Sequence, residues 1–291
     1  MKTLLIIDAN SLIHRAFHAL PPLTDSSGNP AGALYGLSSI LIKLFREVRP
    51  GMVVAAFDRP EPTFRKKEFS DYKAHRPEAA DELISQIIAS KDIFKGFGIK
   101  TIESPGFEAD DIIGTIVERF KGDPSIERLV ILSGDLDILQ LVEGDRIVAW
   151  VPRKGVSDFT EYDAPAVLSR FGLPSERITD YKGLVGDKSD NIPGVMGIGP
   201  KTAVSVINEY GPLEDFYELS PAPKTEALKR ILSGKESALM SKRLATISRE
   251  VPIGDISLAE LSINVEADTV SSFLDSYGFK NLSERVRTGG I

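Results

Sequence analysis

Three unbroken apolar runs, each ending on or close to an aspartate, constrain this chain more than any other feature. They are TLLIID at 3–8, MVVAAFD at 52–58 and RLVILSGD at 128–135, and DRIVAWVP at 145–152 follows soon after. The runs are short, continuous rather than alternating, and rich in Val, Ile and Leu, which suits strands buried on both faces of a parallel sheet. Between them apolar residues recur at helical spacing. Leu34, Leu37, Ile40, Leu41, Leu44 and Phe45 mark a helix over 32–48, and Leu83, Ile87, Ile88 and Phe94 mark one over 78–97. Ile112, Ile113, Ile116 and Val117 mark a third over 107–120. Strands alternating with helices predict an α/β fold with a mostly parallel central sheet flanked by helices.

At 291 residues the chain has material for about two domains. After Phe171 the strand signal fades, and helical segments broken by Gly172, Pro174, Gly183, Gly186, Pro193 and Gly194 take over. The expected division is an α/β unit at 1–173 and a smaller helical unit at 174–291. Hydrophobic residues at 42% and charged residues at 26% exclude global disorder or a collagen-like chain. No apolar run approaches the roughly 20 residues of a membrane span. The start, MKTLLIIDANSLIHRAF, has the charge and apolar stretch of a signal peptide, but Asp8 and Asn10 interrupt it, so a buried strand is the better reading. The expected compartment is the cytoplasm, with no membrane partner and a monomer as the default. The absence of cysteine excludes disulfides, thiolate metal sites and a Cys nucleophile, and three histidines, at 14, 18 and 75, do not suit a His-rich zinc site. A net charge of −7 does not exclude nucleic acid, because clustering of cations matters more than their sum.

Ligands of an open parallel sheet bind beyond the carboxyl ends of its strands. Asp8, Asp58 and Asp135 fall there, and Asp137 is within reach. GFEADDII opens a helix and brings Glu108, Asp110 and Asp111, with Glu108 and Asp111 three apart on one face. GDKSDN adds Asp187 and Asp190 in a turn. Nine carboxylates thus have a route to one pocket, where they would repel one another unless cations neutralise them. Oxygen-only ligands favour Mg²⁺, Mn²⁺ or Ca²⁺, and two such ions about 4 Å apart can activate water and stabilise the leaving oxygen of a phosphodiester. Singly, each carboxylate also has a plain structural reading: Asp110 and Asp111 as helix-dipole partners behind a Ser104 N-cap, the strand-end aspartates as turn formers.

The segment 59–76, RPEPTFRKKEFSDYKAHR, interleaves Arg59, Arg65, Lys66, Lys67, Lys73 and Arg76 with Phe64, Phe69 and Tyr72. Cations with aromatics suit a single nucleic-acid strand, and a helical turn would aim Lys73 and Arg76 the same way; a solvated helix with buried aromatics is the competing reading. GVMGIGPKT at 194–202 is not a phosphate-binding P-loop, because Pro200 separates Gly199 from Lys201 and no buried strand precedes it. It fits a helix–hairpin–helix turn in which Gly197, Gly199, Lys201 and Thr202 hold a DNA phosphate through backbone N–H groups and one ammonium. A purely structural tight turn is the alternative.

Taken together, IIDANSLIHRAF, FDRPEPTFRKKEFSDYKAHRP, GFEADDIIGTI, ILSGDLDILQL and YKGLVGDKSDNIPGVMGIGPKTA resemble, in order, the 5′-nuclease (5′–3′ exonuclease) domain of bacterial DNA polymerase I, in the flap endonuclease superfamily. The tail FLDSYGFKNLSERV is similar to the closing helices of that family. The resemblance implies a PIN-like fold with a helix–hairpin–helix, and a structure-specific 5′ nuclease that hydrolyses DNA by a two-metal-ion mechanism. It implies that Asp8, Asp58, Glu108, Asp110, Asp111, Asp135, Asp137, Asp187 and Asp190 hold two or more Mg²⁺ ions, with Mn²⁺ able to substitute. It further implies a helical arch near 59–97 with Lys73 and Arg76 at the scissile phosphate, DNA contacts from Arg15 and Arg65, and K⁺ at the hairpin. The expected partners are branched or 5′-flap DNA and a polymerase, fused or separate. A metal-dependent ribonuclease and a non-cleaving junction binder are the competing functions.

Overall fold

The computed structural model describes residues 2–153, 158–289 and 291. The apolar runs form the centre of a six-stranded sheet: β1 (Thr3–Asp8), β2 (Met52–Phe57), β4 (Arg128–Leu132) and β5 (Ile147–Pro152), with the short strands β3 (Lys100–Glu103) and β6 (Phe159–Tyr162) at its edges. The order is β3-β2-β1-β4-β5-β6, parallel throughout except for antiparallel β6. The chain runs outward from β1 to β3, then returns to β4 on the other side of β1. β1 and β4 are therefore neighbours at the point where the winding reverses, which is where open α/β sheets bind ligands.

One face of the sheet packs on α1 (Ala9–Ala19), α2 (Gly32–Glu47) and α4 (Asp81–Gly96), the other on α5 (Ala109–Phe120). Alternate residues of β1 serve the two cores: Leu5 and Ile7 face the first, Leu4 and Ile6 the second. After β2 comes α3 (Phe64–Glu68), a five-residue helix tied to the start of α5 and to the 244–246 segment through Arg65. Beyond β6 come α6 (Ala164–Phe171), α7 (Ile178–Val185), α8 (Pro200–Tyr210), α9 (Leu213–Leu219), α10 (Glu226–Ser233) and α11 (Lys235–Ala245). A separate core of Leu173, Leu184, Val195, Ile198, Val206, Leu213, Phe216 and Ile231 holds the α7–α11 segment together. The chain then returns through α12 (Leu258–Leu261), α13 (Ala267–Ser276) and α14 (Lys280–Gly289). Val270, Leu274, Leu282 and Val286 of the last two are buried in the first α/β core, not in the helical one.

Three local expectations change. The N-cap of α5 is Glu108 rather than Ser104, closed by a capping box in which Asp111 accepts from the Glu108 amide. The stretch after α3 turns rather than continuing as an arch helix, and Lys73 sits in the left-handed region at φ 53°. α4, expected within the arch, packs Leu83, Ile93 and Phe94 into the core beside Phe57. No helix among the described residues is long and apolar enough to cross a membrane.

Candidate active site

A cavity of about 570 Å³ opens at the carboxyl end of β1, β2 and β4. Asp8, Asp58, Glu108, Asp110, Asp135, Asp137 and Asp187 line it, together with Lys73, Arg76, Lys182, Asn10, Ser11 and His14. Strand register explains the first group. Ile7 pairs with Leu132, so Asp8 and Ser133 emerge side by side, and the Ser133 hydroxyl donates to Asp8 Oδ2 at 2.6 Å. Asp8 also caps α1, accepting from the Ser11 amide at 3.0 Å. Asp58 follows β2 directly and accepts from the Ala109 amide at 2.7 Å, tying the second strand to the start of α5. Asp135 and Asp137 are set by the turn after β4, where the Asp137 amide donates to Asp135 Oδ1 at 2.9 Å.

The electrostatics are those of crowded anions. Burial, then the charge of Asp58, pushes the Asp8 carboxyl up to about 7, although its bonds from Ser133 and Ser11 oppose the rise. Asp110 is raised well above the ordinary range by burial and by Asp135, Asp8, Asp137 and Glu108. Burial also lifts Asp137 to about 7 against the pull of Lys182. These are sites that favour a proton or a cation in place of another negative charge.

The other rim of the cavity carries its own cations. Lys182, on α7, bonds both Asp137 and Asp187, the latter at 2.6 Å. Burial works against ionisation of Asp187, but the Lys182 ammonium and bonds from Ser189 hold it down at about 2. Lys73 Nζ donates to Glu108 Oε1 at 2.8 Å and Arg76 to Asp190 Oδ1 at 2.7 Å. Although 69–76 is not helical, its turn aims both cations at the cavity, because the Lys73 amide donates to the Asp190 carbonyl. Among the described residues no three carboxylates are already drawn into metal-ligand geometry. The donor set still fits divalent cations: all oxygen, partly buried, and short of positive charge around Asp8 and Asp110.

Not every expected residue reaches this cavity. Asp111 is fully buried and turned away, because adjacent helical residues diverge by about 100° and Asp110 takes the cavity side. Its two oxygens bind Arg65 as a fork at 2.7 Å each, and Oδ1 also accepts from the Ser248 amide at 2.8 Å. Arg65, expected on DNA, is buried and spends its remaining donors on Glu108 Oε2 at 3.3 Å and on the Leu244 and Thr246 carbonyls. Tyr72, also expected on DNA, is buried with its hydroxyl against Glu108 and Asp190. Asp190 sits behind the cavity wall, occupied by Tyr72, Lys73 and Arg76. Arg15 donates to the Arg153 carbonyl. Gly197, Gly199 and Lys201 are exposed at the hairpin between α7 and α8, and Thr202 is half-buried in the first turn of α8. Sequence reasoning missed Lys182, whose signal was its place one helical turn before the Asp187 turn, and Ser133, whose signal was its position opposite Asp8.

Comparison with known proteins identifies the family and the fold. A family described as the 5′–3′ exonuclease N-terminal resolvase-like domain matches residues 3–172, and the 5′–3′ exonuclease C-terminal SAM fold matches 173–268. DNA polymerase I of Caldicellulosiruptor bescii is 40% identical over 287 residues, covering 97% of this chain and 33% of that protein. The chain thus spans about a third of the length of that relative. T5 5′-exonuclease with bound zinc ions shares the fold at 20% identity, with a TM-score of 0.69 and full coverage of both chains. The catalytic core of Rad2, solved with a DNA substrate, shares it at 19% identity and a TM-score of 0.61, covering 100% of this chain and 93% of that one. With both family domains matched in order along one continuous chain, this protein belongs to the 5′–3′ exonuclease family and is a hydrolytic nuclease.

Proposed function

We propose that the chain cuts 5′-ended branched DNA, exonucleolytically or at a flap, with Mg²⁺ as cofactor and Mn²⁺ as substitute. The observation that carries this reading is the convergence of seven carboxylates with Lys73 and Arg76 on one cavity at the reversal point of the sheet. Asp8, Asp58, Glu108, Asp110, Asp135, Asp137 and Asp187 would hold the ions. Bound divalent cations supply a water of lowered pKa and neutralise charge on a phosphodiester. Lys73 and Arg76 donate to the phosphoryl oxygens as their charge grows. For this they exchange Glu108 and Asp190 for the substrate. Asp111 and Asp190 keep α5, α3 and the 187–192 turn in register and touch no ion.

Residues 1–173 supply most of the catalytic cavity, to which Lys182 and Asp187 of the second unit are added. The rest of 174–291 is assigned to holding duplex, with α13 and α14 returning to brace the α/β layers. The hairpin at 194–201 binds the duplex backbone and takes a K⁺ ion. The DNA-bound Rad2 core and the zinc-bound T5 5′-exonuclease support DNA as substrate and divalent ions as cofactor. The protein acts as a monomer in the cytoplasm; a polymerase beside it is supported by the DNA polymerase I relative, of which the chain spans about a third. The test is a 5′-labelled flap duplex incubated with Mg²⁺, with Mn²⁺ and with EDTA. Metal-dependent release of short 5′ products near the junction supports the reading. Junction binding without products in either metal would make the chain a structural DNA binder.

A further inference from the structure

The hairpin between α7 and α8 is held rigidly, and its tip shows one large apolar side chain to water. Val195 and Ile198 are buried, the Val195 amide donates to the Leu184 carbonyl at 2.8 Å, and Gly194 is pinned by Ser241 at 2.9 Å and Ser237 at 2.6 Å. Between these anchors Met196 is 91% exposed. A lone exposed apolar residue means little; its surroundings give it meaning. Arg230, from α10 and outside every motif of the sequence, lays its guanidinium over the hairpin. A Cβ built on Gly197 would fall 2.0 Å from Arg230 Nη1. Lys201 follows in the first turn of α8, whose N-cap Gly199 offers no side-chain cap. Among the described residues neither Arg230 nor Lys201 has a carboxylate partner. Two uncompensated cations, uncapped amides and one apolar side chain therefore share one rigid tip. Its complement is a surface on which anionic oxygens alternate with apolar sugar edges, and that is a nucleic-acid backbone.

We propose that Arg230 and Met196 extend the hairpin into a two-point grip on duplex DNA. Arg230 takes a phosphate oxygen, and Met196 rests on the neighbouring deoxyribose edge along the minor groove. This deepens the nuclease reading and rests on it. The grip is tested with the full chain in EDTA, which blocks cleavage, and a fluorescent 5′-flap duplex titrated between about 50 and 200 mM KCl. Arg230→Gln should bind more weakly at low salt and lower the salt slope by about 0.9, so that its affinity falls about threefold less across that range. Met196→Ala should bind about fivefold more weakly with the wild-type slope, because it removes apolar contact and no charge. Leu219→Ala, which removes another solvent-facing apolar side chain, 66% exposed and away from the hairpin, should match the wild type in both. A wild-type slope in Arg230→Gln, or wild-type affinity in Met196→Ala, overturns the grip while leaving the nuclease reading intact. Failure of the wild type itself to bind the duplex at about 50 mM salt overturns both.

Discussion

Arg65→Met separates the structural and DNA-binding readings of this arginine. Arg65 is buried, forks onto Asp111 with two 2.7 Å bonds, and reaches the Leu244 and Thr246 carbonyls at 2.8 Å each. Methionine fills much of the volume but leaves Asp111 charged and unpaired in the interior, along with two carbonyls that lose their donor. Breaking one side of a buried ion pair costs about 3–5 kcal/mol. That is a large part of the roughly 5–15 kcal/mol available to a domain. The cost should appear in urea unfolding at neutral pH as a lower midpoint with an unchanged slope. Asp111→Asn should cost less, because its amide oxygen can still accept from Ser248. The double variant should show a coupling of about 2–3 kcal/mol, as expected for direct partners. An Arg65→Met protein that unfolds at the wild-type urea concentration, yet binds DNA poorly, would refute the structural assignment and restore Arg65 to the DNA surface.

Other outcomes follow from the same geometry. Asp8→Asn should change stability with a definite pH signature in EDTA. The folded-state pKa of Asp8 is raised from 3.8 to about 7, so the wild type loses stability as pH rises from about 4 to about 7, and the variant, lacking that group, loses less. The gap should shift toward the variant by a few kcal/mol, and paired melts at pH 4.5 and 8 that show a constant gap would refute it. With Mg²⁺ the order reverses, because only the wild type keeps its full set of ligands. Lys73→Ala should lower single-turnover cleavage about 100-fold or more while sparing duplex affinity; a loss confined to affinity would make Lys73 a positioning contact. Gly194→Ala should lose about 1–3 kcal/mol in thermal unfolding, because its φ is 64° and the added Cβ would lie 2.3 Å from the Gly186 amide nitrogen.

The central strands and long helices were legible because burial on two faces leaves unbroken apolar runs, and burial on one leaves a 3–4 spacing. β3 and β6 escaped for the same reason in reverse. Each has four residues at a sheet edge, where KTIE and FTEY bury too little to carry a signal. The strand-end aspartates were equally legible, since topology alone sends Asp8, Asp58 and Asp135 to one rim. The sorting of Asp110 from Asp111 was not. Both are acidic and adjacent, and only the rotation of α5 and the approach of Arg65 from 46 residues away decide which one faces the cavity. Capping spacing held part of the answer: Glu108 and Asp111 stand at N-cap and N3, where side chains serve the helix end. Arg65 and Tyr72 misled for a related reason. A basic-aromatic stretch reads the same whether its side chains face DNA or brace the carboxylates that do the chemistry.

Charge inside the cavity is divided unevenly, and the division says where added cations matter most. Lys182 serves Asp137 and Asp187, while Lys73 and Arg76 serve Glu108 and Asp190. Around Asp8 the supporting bonds come from neutral groups, and the charges acting on Asp8 and Asp110 are negative. The fold thus neutralises the rim formed by α7 and the 69–76 turn from within, and leaves the rim at the ends of β1 and β4 dependent on protons or bound ions. That asymmetry follows from topology. The β1–β4 edge is the reversal point of the sheet, where backbone and short polar side chains fill the first layer, and no helix-borne lysine or arginine comes close enough to bond Asp8. Removal of the proposed ions with EDTA should therefore raise amide hydrogen exchange at the ends of β1 and β4 before it does so in α7.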